Sequence, residues 1–242
     1  MSKITKAFPE INFGGFSKND GTLAFYSRLN ALLTDDMIVL EIGCGRGAAH
    51  AVNGYKSKLR NIKGKVRKVI GVDIDPIGEC NISLDEFKLI VEKQKFDIPD
   101  NSIDLIFSDF VFEHIKDPHF LLSEVNRTLK PGGYLCVRTT NRWGYVSIIS
   151  RLIPDRFHRI ILNKAQSFRD EIDVFPAYYR MNTHRYFKEN FGPNNWEVAI
   201  WGVNGVPTYF SMSVFLMKVM DKINNIIPNR YANSLFVFAR KK

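Results

Sequence analysis

The sequence predicts an α/β fold built on a mostly parallel, doubly wound sheet, and three observations predict it. Val39-Leu-Glu-Ile-Gly-Cys-Gly-Arg-Gly47 is a short apolar run ending in an acid and a glycine triplet. Gly71-Val-Asp-Ile-Asp75 closes a second apolar run with another acid. From there to Thr140, strand-like and helix-like segments alternate, the pattern of parallel strands joined by helices. In such a sheet a tight glycine loop follows the first strand, and a ribose-binding carboxylate ends its neighbour. The glycines are spaced GxGxG and not GxGxxG, so the third is misplaced for a dinucleotide fingerprint. A nucleoside without a pyrophosphate is the expected ligand.

Each element has a local reason. Asn19-Asp20 followed by Leu23, Phe25, Tyr26, Leu29, Leu32 and Leu33 reads as a capped amphipathic helix. The first strand is expected over Met37–Ile42, and the glycine loop then enters a helix from about Ala48. A second strand falls near Lys68–Asp73. The interval from Gly47 to Asp73 exceeds the usual spacing of about 20 residues, which predicts an insertion. Phe87–Val91 reads as a short third strand and Ile103–Ser108 as a buried fourth. Asp117–Leu129 has helical apolar spacing, with Pro131-Gly132-Gly133 as its stop, and Tyr134–Thr139 is the fifth strand. Trp196–Trp201 and Ser234–Arg240 read as the last two. Between them, Phe210–Ile227 sets Met212, Phe215, Leu216, Val219 and Ile223 on one helical face, against Lys218, Asp221, Lys222 and Asn225.

Composition narrows the class. The 242 residues, 45% hydrophobic and 13% aromatic, suffice for one α/β domain with a sizeable core. Cys44, Cys80 and Cys136 are an odd count without framework spacing, so a reducing, cytoplasmic setting is expected. No secretory signal follows Met1–Ala7, and no apolar run reaches the roughly 18 residues of a spanning helix. The net charge of +9 gathers in Tyr55–Lys68, where Lys56, Lys58, Arg60, Lys63, Lys65, Arg67 and Lys68 stand without an acid. Such runs are more often a solvated face than a phosphate-binding one.

Glu41-Ile-Gly-Cys-Gly-Arg-Gly47, Asp73, Asp97-Ile-Pro-Asp-Asn-Ser-Ile-Asp-Leu-Ile106 and Leu129-Lys-Pro-Gly-Gly133 together resemble the class I S-adenosylmethionine (SAM)-dependent methyltransferases, in their type 11, small-molecule branch. The resemblance covers roughly residues 35–140. It implies a seven-stranded Rossmann-like sheet with an antiparallel closing edge, a helical insert after the fifth strand, and SAM as methyl donor with S-adenosylhomocysteine (SAH) as product. Glu41 would hold the methionine end of SAM, Gly43, Cys44 and Gly45 would bring backbone close to it, and Asp73 would take the ribose hydroxyls. Ile74 would lie against the adenine, with Asp109 and Phe110 facing the cofactor. Glu92 is the nearest match for an acid at the adenine amine, in a stretch that departs from the family pattern. Asp75, before Pro76, reads as a turn or cap residue.

His114 is the candidate general base, histidine being the side chain that ordinarily titrates nearest neutrality, with a structural hydrogen bond as the competing role. Substrate contacts are expected from Arg142, Trp143, Tyr178, Tyr179, Arg180 and His184, with Arg185 and the flanking Asn141 and Asn182 nearby: arginines for phosphate or carboxylate, rings for stacking. The histidines lack ligand spacing, so no metal is expected. Ser108-Asp109-Phe110-Val111 is not the Asn/Asp-Pro-Pro-aromatic loop of nucleobase amine methyltransferases, which disfavours nucleic acid as a partner. The organisation expected is one domain: a lead-in over 1–36, a SAM-binding core over 37–140, a substrate cap over 141–190, and closing strands with a helical insertion over 191–242. Methyl transfer to an oxygen of a sugar, lipid-linked or other small acceptor is the leading expectation; a non-catalytic SAM-binding protein acting through its basic face is the alternative. Phe210–Ile227 is expected to pack on the sheet edge, leaving weak or no membrane contact.

Overall fold

The computed structural model describes residues 2–47, 54–152 and 175–242. Its strands are β1 (Ile38–Ile42), β2 (Lys68–Asp73), β3 (Glu86–Leu89), β4 (Ile103–Asp109), β5 (Leu129–Thr140), β6 (Trp196–Val203) and β7 (Ser234–Lys241). They form one seven-stranded sheet in the order β3-β2-β1-β4-β5-β7-β6. β1 to β5 run parallel, and β7 is antiparallel to both β5 and β6. The expected sheet and its closing edge are therefore present.

Alternation along the strands builds the two layers of core. On one face Val39, Val69, Leu105, Phe107 and Phe236 pack with Phe25, Tyr26 and Leu29 of α2 (Gly21–Leu32). On the other, Leu40, Ile70, Ile106, Val137 and Val237 pack with Leu121 and Val125 of α4 (Pro118–Thr128). α2 starts where the Asp20 carboxylate accepts the amides of Thr22 (2.9 Å) and Leu23 (3.1 Å). α4 starts where Asp117 accepts the Phe120 amide (3.1 Å), with Pro118 in the first turn. The other helices are α1 (Lys3–Ala7), α3 (Tyr55–Arg60), α5 (Tyr145–Leu152), α6 (His184–Asn190) and α7 (Val214–Ile226).

Two expectations change. Pro131-Gly132-Gly133 does not stop α4. The helix already ends at Thr128, Leu129 enters β5 opposite Ile103, and the triplet bulges before Tyr134 pairs with Leu105. Burial of Leu129 draws the chain into the sheet early, and at Gly133 a Cβ would press on the Asp104 carbonyl at 2.9 Å. The basic run keeps its lysines partly exposed while several of them meet acids. Lys56 pairs with Asp20 (3.0 Å), Lys63 with Asp85 (3.6 Å) and Lys68 with Glu86 (2.6 Å). Finally, α7 does not lay its apolar face on the sheet edge. It buries Met217 against Ala7 and Phe8 of the N-terminal segment and leaves Phe215 and Ile226 outside. The helix expected from Ala48 falls largely on residues 48–53, outside the described residues; Tyr55–Arg60 is helical. No described helix is long and apolar enough to cross a membrane.

Candidate active site

Strand order reverses between β1 and β4, and the site stands at the carboxyl ends of the strands around that point. The loop after β1 turns on Gly43 (φ 73°), Gly45 (φ 45°) and Gly47 (φ 82°), left-handed conformations that favour glycine. At Gly43 a Cβ would collide with the Val111 side chain, whereas at Gly45 it would meet no protein atom within 4 Å. Asp73, ending β2, holds this loop: its Oδ2 accepts the Gly45 amide (2.8 Å) while Oδ1 accepts the Asp75 amide (3.0 Å). Each oxygen keeps a second lone pair, so the same carboxylate can still accept two hydroxyls. Asp75 accepts the Ile77 amide (2.9 Å) and caps the short turn that follows. From the opposite side, buried Asn81 donates to the Cys44 carbonyl (3.0 Å), a support the sequence did not signal.

Three acids converge here. Glu41 sits on β1 between Gly71 and Phe107, and burial, then Asp109 and Asp73, push its carboxyl up to about 8 against the opposing pull of Arg60. Asp109 ends β4 and is gripped by Arg138 in two-pronged fashion (Nε to Oδ1, 2.5 Å; Nη2 to Oδ2, 2.6 Å), with the Tyr26 hydroxyl donating to Oδ2 (3.0 Å). Arg60, from the basic run, comes within 3.9 Å of Asp109 and lies 5.6 Å over the Tyr26 ring. Asp109 is thus a structural hub as well as a wall of the site. Phe110 takes φ 57°, unusual for a bulky residue, with its ring 4.7 Å from the Arg138 guanidinium. Ile74 is 53% exposed beside Asp73, an open apolar surface. The Cys44 thiol is buried and its ionisation is pushed up by desolvation, then by Glu41 and Asp73, so it contributes backbone and not a thiolate.

Beyond β4 the buried Glu113 ties together described segments of the region expected to form the cap. Its carboxylate accepts the Thr139 hydroxyl (2.8 Å) and its carbonyl accepts the amides of Tyr178 (2.7 Å) and Tyr179 (3.2 Å). Burial raises the Glu113 carboxyl above its ordinary range. Asn182 donates to Thr139 Oγ1 (2.5 Å) and to the Thr140 carbonyl (3.1 Å). His114 faces the Pro176 carbonyl through Nδ1 (2.9 Å). A carbonyl only accepts, so Nδ1 carries a proton, and Nε2 is the ring nitrogen left to exchange one.

The expected substrate residues divide. Tyr178, Tyr179 and Arg180 lie beside His114, with Arg180 bonded to the Lys116 carbonyl and 5.6 Å over Tyr178. Arg142 joins them through the Tyr179 carbonyl (3.3 Å) and its own amide to Asn182 (2.8 Å). Trp143 and His184 instead line a groove of 1060 Å³ at the β6 edge, with Arg185, Trp201, Arg230 and Tyr231. Asn141 is fully buried and donates to the carbonyls of Arg230 and Ala232, a structural role. Glu92 is paired with Lys116 (2.7 Å). Among the described residues no cluster of His, Cys, Asp and Glu could hold a metal ion.

The family model described as "Methyltransferase domain" matches residues 19–189. A "Probable S-adenosylmethionine-dependent methyltransferase" of Mycolicibacterium smegmatis is 33% identical over 107 residues, 43% of this chain and 38% of its own length. A malonyl-[acyl-carrier protein] O-methyltransferase of Calditerrivibrio nitroreducens is 28% identical over 158 residues, 62% of this chain and 55% of the relative. The chain thus spans about half or less of the length of these relatives. A SAM-dependent methyltransferase structure from Archaeoglobus fulgidus superposes with a TM-score of 0.53 at 18% identity, covering 96% of this chain and 97% of that one. This likeness is one of fold.

Proposed function

The chain belongs to the methyltransferase-domain family, and from that premise we propose that it transfers a methyl group from SAM to an oxygen of a small-molecule acceptor. One observation carries the reading: a left-handed glycine loop tied by Gly45 to Asp73, with Glu41 beside it, at the point where the strand order reverses. The residues fit the donor. A close-approach loop at Gly43 to Gly45 suits the methionine end, the free lone pairs of Asp73 suit ribose hydroxyls, and exposed Ile74 suits a purine face. Asp73, and Glu41 once an ammonium beside it favours its ionised form, would set negative charge near the positive groups of SAM.

When bound, SAM supplies a methyl group already activated on a sulfonium, so the protein's tasks are in-line placement and removal of the acceptor's proton. His114 Nε2 takes that proton, because its Nδ1–H is held by Pro176. Glu113 fixes the backbone of Tyr178 and Tyr179 over the site, and so sets where an acceptor can lie. Among the described residues, buried Arg142 Nε and Asn182 Oδ1 have no hydrogen-bond partner, so the polar potential of this region is not exhausted by its own contacts. Sugar and lipid-linked hydroxyls both suit this set.

The acceptor is found by incubating the protein with cell metabolites and isotopically labelled SAM, followed by mass spectrometry. A labelled ether or ester product that disappears with His114→Ala, while SAH affinity stays unchanged, supports the reading. SAM binding with no labelled product from any metabolite pool contradicts it in favour of a non-catalytic SAM binder.

A further inference from the structure

α7 carries a surface that the cofactor site does not use. It is seated through Met217, fully buried, and Asn224. A helix turns about 100° per residue, which sets Phe215, Val219 and Ile226 on the opposite side from Met217, with Leu216 and Ile223 next to them. Phe215 is 73% and Ile226 79% exposed, and Leu216 and Ile223 are also at the surface. Met212, just before the helix, is exposed too. Lys218 and Lys222 border this apolar arc on one side, where they share a pocket with Lys18, Glu10 and Asp221. Asp221 turns inward toward the Asn19 amide group (3.4 Å), and Lys3 donates to the Met212 carbonyl (2.8 Å) at the helix approach. The neighbouring α5, whose Tyr145 ring lies 6.3 Å from that of Phe210, also exposes Ile149 and Leu152.

Soluble monomers rarely leave so many large apolar side chains together at the surface without a partner. We propose that the outward face of α7 docks on an anionic lipid bilayer, with Phe215, Leu216, Ile223 and Ile226 entering the interface and Lys218 and Lys222 reaching lipid phosphates. An apolar arc bordered by lysines is the arrangement that lies in a membrane surface, the lysine stems extending along it and the ammonium groups meeting the headgroups. An anionic surface neutralises these lysines where they border the arc. Four of the seven basic residues of the run Lys56–Lys68 (Lys56, Arg60, Lys63 and Lys68) pair with acids of this chain, whereas Lys218 and Lys222 stand directly beside the apolar arc. The inference does not depend on methyl transfer.

Co-sedimentation of the full chain with vesicles of phosphatidylcholine, with and without phosphatidylserine, across a salt series tests it. Binding is expected on the anionic vesicles only and falls as salt rises. Lys218→Gln combined with Lys222→Gln lowers the partition roughly 30-fold. Phe215→Ser combined with Ile226→Ser lowers it about tenfold or more. Both pairs are at the surface, so their melting curves and SAH affinities match the wild type. No pelleting at low salt would overturn the proposal. So would wild-type binding by the lysine variant, or a dimer in light scattering that Phe215→Ser converts to monomer.

Discussion

Glu41 is the residue whose charge the site most clearly controls. Its carboxyl is pushed up from its ordinary 4.5 to about 8, so it is roughly nine-tenths protonated at pH 7 in the free protein. An ammonium brought beside it favours the ionised form. SAH binding at pH 7 is therefore expected to release a proton, seen as a calorimetric enthalpy that varies with the ionisation enthalpy of the buffer, and Glu41→Gln abolishes the variation. An unchanged buffer dependence in that variant places the proton elsewhere. The raised value also has a sign for stability: the protonated carboxyl favours the fold fully below about 4.5, and that contribution is lost as pH rises through about 8. Glu41→Gln should accordingly raise the melting temperature of the free protein at pH 9 more than at pH 5. Asp109 and Arg138 behave differently, being buried partners already matched to each other. Asp109→Asn should cost about 3–5 kcal/mol of stability by leaving the Arg138 charge uncompensated, and Arg138→Met combined with it should recover part of the loss; denaturant melts of the three variants decide this.

At the scale of elements, the glycine loop and the cap make separable claims. Gly45 has open space but φ 45°, so Gly45→Val strains the loop and its bond to Asp73 without touching the core. SAH affinity should fall more than tenfold while the thermal melt stays cooperative. Gly43→Val adds a collision with Val111 and should also lower the melting temperature. Normal SAH binding by Gly45→Val would remove the loop from the site. In the cap, Glu113→Gln keeps shape but weakens the hold on Thr139, and turnover should drop while SAH affinity is spared. What the sequence made legible follows the same division. Gly45 and Asp73 were readable because a tight turn and a strand-end acid are local features. Glu113 and Asn81 were not, because each acts through a partner distant in sequence, Thr139 and Cys44; Asn182 and Arg60 stood out in the sequence, but not their partners Thr140 and Asp109. The apolar face of α7 was visible as a face, but helical spacing could not tell that Met217 and not Phe215 would meet the N-terminal segment.

Across the described residues, the sheet's reversal of strand order gathers acids on one side, and its closing antiparallel strands carry between them a helix with an exposed apolar face. The central claim is that Asp73 and the loop it ties hold the nucleoside end of SAM. Isothermal titration of SAH into the wild type and Asp73→Ala, with NAD as a control, tests it most directly. SAH is expected to bind and NAD not to, and Asp73→Ala is expected to weaken SAH more than tenfold, since two hydroxyl contacts to a carboxylate contribute on the order of 2 kcal/mol or more. An unchanged SAH dissociation constant in Asp73→Ala, with the variant folded, would contradict it.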